Sequence, residues 1–174
     1  MKSFHKRFFL VLIVVAPMYW LLFTDDGKRR SDTLILWLAG GEPIDINFRV
    51  LDNSYSIEDW KKVFADIEWN CKDQETAFGD QYCFSEISSY NGIPARYLTA
   101  FFKNSHINAV KLVYRNQYHQ QLGLDLHQQL GTPLHQTHDA AENDMLQWHA
   151  DSGMVMVKTE LKPEEEASLI WLSR

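Results

Sequence analysis

The chain has 174 residues and a formal net charge of −6, with 17 basic against 23 acidic side chains. No Lys/Arg stripe runs along it, which excludes nucleic acid as an expected partner. Beyond residue 32, about 140 residues remain, enough for one domain with a real core, and most aromatic rings are expected inside it.

Residues 8–23 (FFLVLIVVAPMYWLLF) form a 16-residue uncharged run between Lys6-Arg7 and Asp25-Asp26. As a helix this reaches about 24 Å, against a hydrocarbon core of about 30 Å. Thr24 and the apolar stem of Arg7 extend it. Tyr19 and Trp20 suit the interface, and Pro17 is tolerated in membrane helices. The run predicts a transmembrane anchor over 8–24, after an N-terminal segment 1–7 and before a charged linker 25–32. The competing reading is a cleaved signal peptide. No small-x-small site follows until residues 39–41, and no lipobox cysteine follows either, which favours the anchor. Lys2, Lys6 and Arg7 stand without acids, whereas Asp25, Asp26 and Asp32 accompany Lys28, Arg29 and Arg30. The N-terminus is therefore expected in the cytoplasm and residues 33–174 outside; in a bacterium this is a single-pass inner-membrane protein with a periplasmic domain.

Cys71 and Cys83 are the two cysteines. In an oxidising compartment they are expected to pair, closing the polar loop 72–82 for about 3 kcal/mol; in the cytosol they would be two buried thiols. Without a second pair they do not make a zinc site.

Residues 33–39 (TLILWLA) are too short to span. Periodicity leaves a buried helical turn, a strand or an interfacial segment open. Ile44, Ile46, Phe48 and Val50 alternate with polar residues and predict a half-buried strand. Ser56 and Asp59 form a capping box, Tyr55 and Trp60 a hydrophobic staple, and Ile57, Trp60, Phe64 and Ile67 the apolar face of a helix. The period then changes to two. Strands are predicted at 81–89, 95–102 and 107–114, with Asn91-Gly92 as the first turn. A second helix over 116–130 carries the stripe Tyr118, Leu122, Leu126, Leu130, with Gly123 beside it for close packing on the sheet; Gly131 and Pro133 end it. After a polar loop at 134–143, strands are predicted at 145–149, 154–159 and 167–172.

The expected fold is therefore α+β: a transmembrane helix, then one domain with an antiparallel sheet and two helices. Its order reads as a tandem α-βββ repeat with halves 56–114 and 115–174. In this order of elements it resembles small α+β modules of the bacterial envelope, such as outer-membrane assembly lipoproteins and tandem-repeat β-lactamase inhibitor proteins. The resemblance is one of topology and transfers no site residue.

Candidate chemistry is sparse. His119, His127, His135 and His138, with Asp139, Glu142 or His149, hold metal-ligand types. However, eight helical positions turn His127 about 80° from His119, and His135-x-x-His138 lies on a predicted loop. His149, Asp151 and Ser152 hold triad types, yet neighbours on a turn diverge and Asp-Ser-Gly is ordinary turn sequence. The run 164–166 (Glu-Glu-Glu) reads as a solvated connection. No catalytic residue, metal set or cofactor fingerprint is assigned. The expected function is a membrane-anchored extracytoplasmic binding or accessory module, a subunit or assembly factor of an envelope protein complex. The alternative is an anchored enzyme, hydrolytic or metal-dependent, using His135, His138 and His149. If both helices cover one face of the sheet, the other must find a cover, and 33–39 is the candidate within the chain.

Overall fold

The computed structural model describes residues 2–136 and 145–174. They form four α-helices and nine strands: α1 (Lys2–Phe23), α2 (Asp25–Leu38), β1 (Glu42–Ile44), α3 (Ile57–Val63), β2 (Asn70–Thr76), β3 (Gly79–Tyr90), β4 (Ile93–Lys103), β5 (His106–Tyr114), α4 (His119–Leu130), β6 (Leu134–Gln136), β7 (Met145–His149), β8 (Gly153–Lys158) and β9 (Ser168–Ser173). The class is α+β, as the period changes imply. Among the described residues, no helix is long and apolar enough to cross a membrane.

One sheet runs β1-β3-β4-β5-β9-β8-β7-β6, with β2 also beside β3. It is mixed, not antiparallel throughout as expected, because β1 runs parallel to β3. The order of elements after residue 56 has four strands per helix, not the expected three: α3 precedes β2 to β5, and α4 precedes β6 to β9. The last strands of these two runs, β5 and β9, pair antiparallel. The strands missed from sequence are β2, which overlaps the start of the predicted polar loop 72–82, and β6, which falls in the predicted loop 134–143. No residue of β2 is fully buried, so it lacks the one-sided apolar alternation by which a half-buried strand is recognised.

The register sorts the side chains into two faces, since successive residues of a strand point to opposite sides. One row runs Cys83, Ala100, Val110, Trp171, Val155, Trp148, and its neighbour runs Leu98, Leu112, Leu169, Val157, Leu146. All but Leu146 are buried, in one core with Trp60 of α3 and Leu122 and Leu126 of α4. Both α3 and α4 therefore cover this face. Ser56 and Asp59 close the expected capping box on α3. The expected stripe on the second helix is also in place, with Tyr118 in a short 3-10 turn ahead of α4. Gly123 is not there for close packing: a Cβ on it would meet nothing within 4 Å.

Two expectations between residues 25 and 50 need correction. The predicted linker 25–32 and the apolar run 33–39 are largely one helix, α2, because Thr24 caps it by accepting from Gly27 N at 3.1 Å and Asp25 and Asp26 favour its first turn. The strand expected through Val50 stops at Ile44. There the Asn91 side chain replaces the ladder, accepting from Ile46 N at 3.1 Å and donating to Ile46 O at 3.2 Å. Ile46 and Phe48 stay buried while Val50 is exposed.

Candidate functional site

The opposite face of the sheet is apolar but open. One row runs Phe84, Thr99, Lys111, Ile170, Met156, Gln147, and the next runs Tyr82, Phe101, Ala109, Leu172, Met154, His149. Tyr82, Phe84, Tyr97, Phe101, Met154, Met156, Ile170 and Leu172 are all half-buried, neither sealed nor free. The rings touch in pairs: Phe84 and Tyr97 have centroids 5.4 Å apart, and Tyr82 and Phe101 6.2 Å apart. Small residues at the centre, Thr99 and Ala109, leave the bulk at the sides. Large apolar side chains gathered on one half-exposed surface mark an interaction site more often than an idle one.

The acidic run forms a rim to this face rather than a free solvated loop. Glu166 accepts from Tyr97 Oη at 2.5 Å and pairs with Lys111 Nζ at 3.1 Å. The Tyr97 hydrogen bond, followed by Lys111, holds the Glu166 carboxyl below the ordinary glutamate range, and burial with the Glu166 contact pushes the Tyr97 phenol up to about 12. Glu165 pairs with Lys158.

The run 33–39 does not seal this face. α2 lies against β3 and β4, with Thr33, Leu34 and Trp37 lining a groove together with Ser88 and Gly92. Its side chains Leu34, Ile35, Trp37 and Leu38 stay between 50% and 70% exposed. On α1, Ile13, Val14, Leu22 and Phe23 are similarly uncovered. The two helices therefore present apolar surface that the rest of the chain does not bury.

The other candidates separate. Cys71 and Cys83 face each other across β2 and β3, and their sulfurs are bonded. His135 lies on β6 opposite Leu146, while His138, Asp139 and Glu142 fall outside the described residues. His149 ends β7 and contacts Arg174. Ser152 donates its hydroxyl to the Leu51 carbonyl, and Asp151 N donates to Arg49 O at 3.0 Å, so this turn joins β7–β8 to the segment after β1. His119 Nδ1 lies 2.6 Å from Tyr114 Oη, and the His127 carbonyl accepts from Gly131 N. Among the described residues, no three His, Cys, Asp or Glu side chains gather in a metal-binding set.

Sequence reasoning expected a second face in need of a cover but did not identify its residues, because it assigned the rings to the core. A signal was present: β8 begins Gly-Met-Val-Met-Val, apolar on both sides of the pleat, where a strand with one wet face alternates apolar and polar. Compared with protein-family models, with curated proteins and with solved structures, the chain matches none.

Proposed function

We propose that this protein is a membrane-anchored accessory module that binds another protein of the cell envelope through the open face of its sheet. The observation that carries the reading is that face: eight half-buried aromatic, Met and aliphatic side chains opposite a core that α3 and α4 already cover. Met and aromatic side chains are the types enriched at protein interfaces, and flexible Met side chains adapt to a partner's shape.

The anchor is α1. Its apolar run, residues 8–23, reaches about 24 Å as a helix; the Arg7 stem and Thr24 extend it toward the roughly 30 Å of a hydrocarbon core, and the exposed Ile13, Val14, Leu22 and Phe23 favour a non-aqueous environment. The charge asymmetry around residues 8–23 orients the N-terminus to the cytoplasm and the domain to the periplasm of a bacterial cell, and the Cys71–Cys83 bond suits that oxidising compartment. We assign no reaction to it.

The test is a pair of charge substitutions on the open face, Phe84→Glu and Met156→Glu, in the full-length membrane-bound protein. Cross-linking in native membranes should yield one stoichiometric protein adduct for the parent and none for either variant, with melting temperatures close to the parent's. Equal adducts from parent and variants would overturn the reading.

A further inference from the structure

Where α2 meets the sheet there is a groove of about 580 Å³. Its chemistry is divided. Arg29 and Arg30 line it with a single carboxylate, Glu42, and Leu34, Trp37 and Pro43 supply apolar wall. Ser88 lines it as well. This residue is fully buried, and its hydroxyl has no hydrogen-bond partner among the described residues. An unpartnered buried hydroxyl is costly unless something else satisfies it.

Both guanidinium groups already touch Asp26, Arg29 through Nη2 at 2.7 Å and Arg30 through Nε at 3.0 Å. Each engages Asp26 through one nitrogen and keeps further donors, because a guanidinium carries five N–H groups in a planar fork. Two such forks beside an apolar wall match an anionic head joined to a hydrocarbon tail. Position selects the amphiphile. The groove opens beside the exposed Leu34 and Trp37, on the helix that follows α1 after the single residue Thr24. Arg30 also lies over the Trp20 ring, 5.6 Å from its centroid, and Trp with Arg is the pairing expected at headgroup depth.

We propose that this groove seats one anionic phospholipid of the bilayer that holds α1. The phosphate lies on Arg29 and Arg30, the glycerol-ester region near Ser88, and an acyl chain along Leu34, Trp37 and Pro43. The proposal rests on the membrane-anchor reading of α1 and adds a lipid-specific contact to it. Bound in this way, α2 lies in the interface plane and fixes how the sheet is presented to its partner.

The experiment uses the full-length protein in mild detergent, with added phosphatidylglycerol or phosphatidylcholine, read by native mass spectrometry. A single retained phosphatidylglycerol is expected, with retention on the order of tenfold lower for phosphatidylcholine. The double variant Arg29→Gln/Arg30→Gln should lose the preference. Leu34→Glu, an exposed position that leaves the arginines in place, should lose the adduct. Equal retention of the two lipids, unchanged retention by the double variant, or displacement by inorganic phosphate would overturn the proposal. The anchor is judged apart, by flotation of the same proteins on pure phosphatidylcholine vesicles. Flotation of parent and variants alike leaves the anchor standing whatever the lipid result, and no flotation sinks the anchor by itself.

Discussion

Asp32 of α2 and Tyr118 at the head of α4 are hydrogen-bonded, Tyr118 Oη donating to Asp32 Oδ2 at 2.8 Å. Gln117 Nε2 donates to the same oxygen at 2.6 Å, and Arg115 Nη1 pairs with Asp32 Oδ1 at 2.7 Å. One carboxylate thus ties α2 to the segment between β5 and α4. Asp32→Ala should leave the half-buried Arg115 unpaired and lower stability by about 2 kcal/mol, measured by chemical denaturation. Hydrogen exchange should show α2 amides released ahead of the sheet. Uniform exchange with unchanged stability would contradict this coupling.

Cys71 and Cys83 are twelve positions apart. Reduction, or Cys71→Ser with Cys83→Ser, should remove about 3 kcal/mol. The loss should appear first in β2, which among the described residues has β3 as its one strand partner. Parallel thermal melts with and without a reductant check this, and equal melting temperatures would contradict it.

Two glycines should respond to alanine with opposite signs. A Cβ on Gly123 meets nothing within 4 Å and sits inside α4, so Gly123→Ala should stabilise by about 1 kcal/mol through helix propensity. A Cβ on Gly79 would lie 2.1 Å from the Phe102 carbonyl oxygen. Gly79→Ala should therefore force β3 and β4 apart and lower the melting temperature.

Acidification should weaken the rim of the open face. The Glu166 carboxyl is held below its ordinary value of 4.5, first by Tyr97 and then by Lys111. A folded-state value below the unfolded one contributes stability that is present above about pH 4.5 and is lost as pH falls through the folded value. Melting temperatures from about pH 7 to about pH 3 should drop less steeply for Glu166→Gln than for the parent. Identical slopes would show that the Tyr97–Glu166–Lys111 contact contributes nothing.

Much of the domain was legible because its local signals agree. Ser56 and Asp59 announce α3, Asn91-Gly92 turns β3 into β4 with Asn91 at a φ of 47°, and Leu122 and Leu126 mark the buried side of α4. What was illegible lacked a one-sided pattern. β2 is wet on both faces, so it lacks the alternation that marks a half-buried strand; β8 is apolar on both sides, so the strand expected at 154–159 did not show which of its sides is open. The charged start of α2 resembled a linker because its helix is held by tertiary partners, Asp32 to Arg115 above all, rather than by an apolar stripe. The candidate site was hidden for a related reason. Phe84, Phe101, Met154 and Met156 have the composition of a core, and only the register shows that they face away from it.

Site-specific photocross-linking in native membranes tests binding through the open face most directly. A photoreactive side chain would be placed at Phe84 or Met156 on the open face, and at Lys61 on the exposed side of α3 as a control. One discrete protein adduct is expected from Phe84 and Met156 and none from Lys61. No adduct from the open face, or the same adducts from all three positions, would contradict it.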